Sequence, residues 1–380
     1  MYGAAVAYSG LVEKQIFEMP GPFRTAGGGV VERVRVGFEV LGELDAARSN
    51  AILIPHPNVA SSHVAGRYGP QDALPGYWDA IVGPGCPLDT DRYCLIGVDA
   101  LCNPKAADGV TVTTGPSSID PATGRPYGMR FPTICVRDLV EVQRAVLAHL
   151  GVTQLHAVIG ASFGGMQTYE WAVAYPTSVA RIVPVISTPW VGAYVLAKLR
   201  ELRAAIALDP NWNGGDYYGG AQPVEGLTMA LRLLYVAAVL TPEGAEASYA
   251  RRWADPQRDP ADSFDNEYAV CAWLDALARD RAQVVDANNF LYTQRANELF
   301  AVGGASTLKD GMRSITAKAL VIAARGDEIL PPSFARAAYD ALVEQGNDAT
   351  FFEIAGSMGH LDGVLSIAQA GEAIAAFLAR

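Results

Sequence analysis

The sequence predicts an α/β fold: a mostly parallel sheet with helices on both faces, interrupted late in the chain by a helical insertion. Three observations predict it. Strand-like and helix-like segments alternate through the first half. Strand signals nearly vanish between about 190 and 312, where Ala, Leu, Arg and Asp dominate. Strand signals then return near 319 and 350.

In order along the chain, Val34–Leu41, Ala51–Pro55 and Tyr93–Val98 read as β-rich apolar runs. Thr133–Leu150 reads as a helix, because Ile134, Leu139, Val142, Val146 and Leu150 fall near one face. Leu155–Ile159 is a short strand ending in glycine, and Gly164–Tyr175 is a helix that Pro176 closes. Ala180–Ile186 is another strand. Helical stretches follow at Val195–Leu208, Leu227–Leu240, Asn266–Arg281 and Asp286–Leu299. Ala319–Ala323 and Thr350–Ile354 restore strands, and Ile367–Leu378 is a last amphipathic helix. The economical division is a discontinuous α/β core over 1–189 and 313–380 with a helical lid over 190–312. Such an insertion is expected over the carboxyl ends of the strands, where open α/β sheets place their ligands.

With 380 residues, half of them apolar, the chain can bury a large core. A net charge of −11 with no basic run argues against nucleic acid and against anionic membrane surfaces. No apolar stretch reaches a membrane span. The opening MYGAAVAYSGLVEKQ has no positive n-region, so a secretory leader is not expected. The five cysteines, Cys86, Cys94, Cys102, Cys135 and Cys271, form no CxxC pair, which argues against a disulfide framework and a thiolate zinc site. They read as small apolar packing residues in a reducing cytoplasm.

The sharpest local signal is Val158-Ile159-Gly160-Ala161-Ser162-Phe163-Gly164-Gly165. It has the form G-x-S-x-G, after a strand and before a helix. A turn this tight holds the serine in a strained geometry and needs glycine at Gly160 and Gly164, where side chains would collide. Serine needs a general base. Of His56, His63, His149, His156 and His360, only His360 follows Ser162. The chain order nucleophile, acid, histidine then places the acid after a late strand. Asp327, in Arg325-Gly326-Asp327, meets that condition and would fix the imidazole tautomer. The oxyanion needs backbone N–H donors. Phe163 is one candidate. Pro57 has no N–H, so Asn58 is the second.

These residues carry a family resemblance. Asn50–His56, Tyr77-Trp78-Asp79, Gly83-Pro84-Gly85, Asp89–Tyr93, Thr114–Pro121, Gly160–Trp171, Asp209–Tyr218 and Asp286-Ala287-Asn288 resemble homoserine O-acetyltransferases and their close relatives, which have the α/β-hydrolase fold. The resemblance implies Ser162, Asp327 and His360 as a triad, a helical lid, a homodimer through that lid, and a ping-pong acyl-enzyme route.

Four departures from the family pattern bear on the acyl acceptor. The stretch His-Ala-Leu-Thr-Gly is His56-Pro57-Asn58-Val59-Ala60 here. Gln-Arg is Leu202-Arg203; its arginine, which in the transferases holds the acceptor carboxylate, is kept. His-Asp is His360-Leu361, with Asp362 shifted by one. An apparent insertion spans Asn103–Val112. Homoserine is a zwitterion, and a closed pocket must pair both of its charges. Arg203 could pair the carboxylate; Leu361 cannot pair the ammonium. A subgroup of the family uses water instead, and the sequence fits it slightly better. The first expectation is therefore an acetyl-ester hydrolase acting on a small-molecule ester, without cofactor. The alternative is a homoserine O-acetyltransferase with acetyl-CoA as co-substrate. A non-catalytic scaffold on an inherited fold is the third reading.

Each residue also has a plainer reading. Ser162 could be a turn serine, His360 a loop histidine and Asp327 an Asx-turn residue beside Glu328. Arg203, near Arg200, could belong to a solvated helix face. His56 and His63 read as packing or hydrogen-bonding residues, and His149 and His156 as structural.

Overall fold

The structure is a computed structural model describing residues 10–380; residues 1–9, the first part of the MYGAAVAYSGLVEKQ opening in which no secretory leader is expected, lie outside the described residues. Eight strands form the main sheet: β1 (Gln15–Glu18), β2 (Arg35–Leu41), β3 (Ala51–Pro55), β4 (Cys94–Val98), β5 (Ala157–Ala161), β6 (Arg181–Val185), β7 (Lys318–Ala324) and β8 (Ala349–Ile354). Their spatial order is β1-β2-β4-β3-β5-β6-β7-β8. β1 pairs antiparallel with β2, and β2 antiparallel with β4. From β4 through β8 every pairing is parallel.

The middle strands are buried on both sides, which is why they read as continuous apolar runs rather than alternating ones. The two-residue period of the strand then divides the core in two. Leu53, Ile96, Val158, Ile182 and Val321 face one layer, while Ile52, Ile54, Leu95, Ile159, Val183 and Ile322 face the other. Helices α1 (Val136–His149) and α2 (Phe163–Ala174) cover the first face. α1 buries Leu139, Val142 and Val146, the stripe its periodicity predicts. Asp138 fixes its start, accepting from the backbone N–H of Cys135 and of Ala26.

Six α-helices stand between β6 and β7, the first five being α3 (Ala193–Ala207), α4 (Val224–Ala238), α5 (Pro242–Ser248), α6 (Ala269–Ala282) and α7 (Ala287–Glu298). A short α8 (Leu308–Met312) leads into β7. Two sequence stretches separated by some seventy residues meet in this segment. Asp286 caps α7 by accepting from the N–H of Asn289, and its carboxylate also accepts from the hydroxyls of Tyr217 (2.8 Å) and Tyr218 (3.1 Å). Burial raises the Asp286 carboxyl pKa against these hydrogen bonds.

After β7 come α9 (Pro332–Glu344), a 3₁₀ turn at Gly359–Leu361, α10 (Asp362–Leu365) and α11 (Gly371–Leu378). The helix expected over Ile367–Leu378 is broken: Ile367–Ala370 is a 3₁₀ turn, and α11 starts only at Gly371. Pro87 packs where a β-carbon on Gly371 would lie. α11 closes the second sheet face through Ile374, Phe377 and Leu378. α9 starts on Pro331-Pro332 and buries Ala335, Ala338 and Leu342, a face too alanine-rich for its periodicity to stand out. Not every cysteine packs as a small apolar residue: Cys86, Cys94 and Cys102 are buried, but Cys271 is exposed and Cys135 sits half-buried at the start of α1. Among the described residues no single helix is long and apolar enough to cross a membrane.

Candidate active site

Ser162 occupies the turn between β5 and α2 with φ 54° and ψ −117°, a conformation that a residue with a side chain rarely adopts. The surroundings over-determine it. Its N–H donates to the carbonyl of Val185 in β6 (2.8 Å), and its carbonyl accepts from the Ser187 hydroxyl (2.8 Å). The flanking glycines are sterically required. A β-carbon on Gly160 would lie 2.4 Å from the Gly164 backbone. One on Gly164 would lie 2.0 Å from the Pro55 carbonyl oxygen, and one on Gly165 would lie 2.4 Å from Cβ of Ser187. The first two contacts meet the sequence expectation. The third, and Ser187 itself, were not foreseen, because neighbouring strands β5 and β6 bring them together only in space.

The side chains of Ser162, His360 and Asp327 meet. His360 Nε2 lies 2.8 Å from Ser162 Oγ, and His360 Nδ1 lies 2.6 Å from Asp327 Oδ2. Asp327 follows β7. Its other oxygen, Oδ1, accepts from the N–H groups of Ile329 and Leu330, both at 2.9 Å. The carboxylate is thus held by its own turn, with one oxygen left for the imidazole. The neighbouring Glu328 is exposed, and its carbonyl accepts from Tyr194 and Lys198 of α3. An acceptor at Nδ1 puts the proton there and leaves Nε2 free to accept from a hydroxyl.

His360 sits in the 3₁₀ turn after β8. Asp362 supports that loop: its carboxylate accepts from the Met358 N–H (2.8 Å) and the Ser366 hydroxyl (2.7 Å), and it is buried. The carbonyl of Ser357 accepts from the Thr241 hydroxyl at the start of α5, so the helical segment touches the same loop.

The two expected oxyanion donors lie on adjoining backbone. Phe163 is the first residue of α2, and its N–H has no acceptor among the described residues. The Pro55 carbonyl at the end of β3 and the His56 carbonyl just after it pack against Gly164. Pro57 to Ala60 form a tight turn closed by the Ala60 N–H on the Pro57 carbonyl (3.1 Å). The Asn58 N–H, inside that turn, also has no protein acceptor among the described residues. Arg203 lies on α3 with its guanidinium 3.6 Å from the Glu298 carboxylate of α7, which also pairs with Arg295.

Sequence reasoning missed a buried polar cluster beside the same loop. Lys14 Nζ contacts Ser62 Oγ (2.9 Å), Asp99 (2.9 Å) and Glu39 (3.3 Å). Glu39 also accepts from Tyr68 and pairs with His63. The residues come from four separate stretches, so no local spacing announces them. Among the described residues no group of His, Cys, Asp and Glu is arranged to hold a metal.

Residues 77–364 match the family described as the α/β hydrolase fold. The chain is 37% identical to a homoserine O-acetyltransferase of Methanococcoides burtonii over 353 residues, 92% of this chain and 70% of that protein. It is 36% identical to the homoserine O-acetyltransferase of Solidesulfovibrio magneticus, covering 98% and 93% of the two chains. Among solved structures it is similar to esterase E22, with TM-score 0.92 and 42% identity over 97% of this chain and 100% of that one. It is equally close in shape to the homoserine O-acetyltransferase from Bacillus anthracis, with TM-score 0.92 and 34% identity over 98% of each chain.

Proposed function

The chain belongs to the homoserine O-acetyltransferase family of α/β hydrolases, and from that premise we propose that it is a serine acyl-transfer enzyme working through an acyl-Ser162 intermediate. The observation that carries the reading is the continuous chain of contacts from Ser162 Oγ through His360 to Asp327. Ser162 Oγ attacks the acyl carbonyl as its proton passes to His360 Nε2. The negative charge moves onto the carbonyl oxygen, which the N–H groups of Phe163 and Asn58 stabilise. The tetrahedral species collapses, the acyl–heteroatom bond breaks, and His360 returns the proton to the departing group. The acceptor hydroxyl then gives its proton to His360 and attacks the acyl-serine; the acyl–Oγ bond breaks and His360 returns the proton to Ser162 Oγ.

For the acceptor, the curated relatives favour homoserine over water, with acetyl-CoA as acyl donor and co-substrate. A second reading, hydrolysis of a small acetyl ester, has a specific observation behind it. Leu361 stands directly after His360, and the nearby Asp362 is buried and engaged with Met358 and Ser366. It is not free to pair an ammonium, and esterase E22 is 42% identical. In either case residues 190–312 act as a lid over a core of 1–189 and 313–380, and a homodimer through that lid in the cytoplasm is the expected assembly.

One experiment separates the acceptors. Acetyl-Ser162 is formed from p-nitrophenyl acetate or acetyl-CoA, homoserine is titrated in, and free acetate and O-acetylhomoserine are quantified. Acetyl transfer that saturates with homoserine and suppresses acetate release supports the transferase. Acetate release indifferent to homoserine supports the hydrolase. No acyl product from either donor, with Ser162→Ala indistinguishable from the unaltered protein, ends the proposal.

A further inference from the structure

We propose that Asn103 is a positioning residue that holds the Pro57–Ala60 turn in the shape needed for oxyanion binding and ties that turn to helix α7. The inference rests on the reading of the Asn58 N–H as an oxyanion donor.

Asn103 is fully buried. Its Nδ2 donates to the Ala60 carbonyl (3.0 Å), and its Oδ1 accepts from the Lys105 N–H (2.9 Å). A carbonyl on one side and an N–H on the other leave only one orientation for the amide. Nδ2 also lies 3.2 Å from His56 Nε2. That nitrogen accepts from the Ala100 N–H at 3.0 Å, so the His56 proton must sit on Nδ1. Nδ1–H donates to the Pro57 carbonyl at 2.7 Å. The turn is therefore held at both ends, Pro57 by His56 and Ala60 by Asn103, with the Asn58 N–H between them.

The imidazole is kept neutral. Burial holds its pKa below the ordinary value, against the hydrogen bond to the Pro57 carbonyl and the attraction of Asp99; the charges of Lys14 and Lys105 also disfavour protonation. A protonated His56 would set Nε2–H against the Ala100 N–H. On its other side, the Asn103 backbone reaches the helical segment. Its carbonyl accepts from Asn289 Nδ2 of α7 (2.9 Å), and its N–H donates to Thr113 Oγ1 (3.0 Å). Asn103 is thus the joint between α7 and the donor turn. An unoriented donor is worth little, because oxyanion stabilisation depends on placing N–H groups before the charge develops.

The test uses Asn103→Asp in the full chain, with p-nitrophenyl acetate as acyl donor and Ser162→Ala in parallel. The carboxylate keeps the bond to Lys105 but replaces a donor by an acceptor at Ala60 and His56. We expect acylation at pH 8 to slow about ten- to a hundred-fold with KM within about two-fold of the unaltered protein. The deficit relative to the unaltered protein should shrink on acidification, as the new carboxyl protonates and regains a donor. Asn289→Ala, which removes the outer bond together with the one that Asn289 Oδ1 accepts from the Ser117 N–H (3.2 Å), should slow acylation about three-fold. Histidine ¹⁵N NMR of the unaltered protein should show His56 as the neutral Nδ1–H tautomer.

Folded Asn103→Asp that acylates at the normal rate across pH, or loses only KM, overturns the proposal. If Asn103→Asp does not fold, an unaffected Asn289→Ala overturns it. An Nε2–H tautomer at His56 overturns it even where no acyl donor turns over. A normal, Ser162-dependent burst with these results leaves the acyl-enzyme reading standing. A burst absent from the unaltered protein sinks the acyl-enzyme reading, and the oxyanion role of the turn with it, even where the Nδ1–H tautomer is seen.

Discussion

Replacing Asp327 by asparagine reverses a hydrogen bond while leaving the surrounding structure in place. The amide oxygen can still accept from Ile329 and Leu330, as Oδ1 does now at 2.9 Å. That orientation turns the NH₂ group toward His360 Nδ1, which faces the other carboxylate oxygen at 2.6 Å. Two donors cannot face each other, so Nδ1 must lose its proton and Nε2 must carry it. Nε2, 2.8 Å from Ser162 Oγ, would then donate to the hydroxyl and could no longer accept its proton. The base is lost without loss of packing. The equivalent change in a serine protease triad lowers kcat roughly ten-thousand-fold, about 5.4 kcal/mol of transition-state stabilisation. We expect a loss of that order in the burst of p-nitrophenol from p-nitrophenyl acetate, read by stopped flow, with Tm nearly unchanged. Activity within about ten-fold of the unaltered protein, in a folded variant, would refute the tautomer argument.

Four further outcomes follow from the same geometry. Gly164→Ala puts a methyl group 2.0 Å from the Pro55 carbonyl oxygen, so it should cost about 1–3 kcal/mol and lower both Tm and activity; an unchanged melt would contradict it. Lys14→Met leaves buried Glu39 and Asp99 without their cation and should cost about 3–5 kcal/mol, measured by urea unfolding. Burial alone would raise the Glu39 pKa, but hydrogen bonds from His63 and Tyr68 and the Lys14 charge hold it below the ordinary value. Its stabilisation is therefore present above the unfolded pKa and lost as pH falls through the folded one, and Lys14→Met should move that loss to higher pH in acid titrations. Leu361→Asp adds a carboxylate beside His360 and should raise the fraction of acetyl groups passed to homoserine; an unchanged partition would remove Leu361 from acceptor choice.

The central strands were legible because burial on both faces makes each an unbroken apolar run, as at Ala51–Pro55, where expected and observed bounds coincide. Ser162 was legible because its turn demands glycines at fixed offsets, and His360 because chain order left no other histidine. Asp327 followed from the strand before it, though Glu328 stood adjacent; only coordinates show which carboxylate faces the ring. The joint at Asn103 was not legible. It is assembled from the loop after β3, the stretch after β4 and α7, and its parts are ordinary residues whose meaning lies in who accepts from whom. The Glu298 neighbour of Arg203 was not legible either, because it comes from another helix, α7.

The most direct measurement is mass spectrometry of the protein quenched in acid during the pre-steady-state burst with p-nitrophenyl acetate. A proteolytic fragment carrying Ser162 should gain the mass of one acetyl group, and that adduct should vanish in Ser162→Ala. Turnover that continues while this fragment stays unmodified would contradict the account.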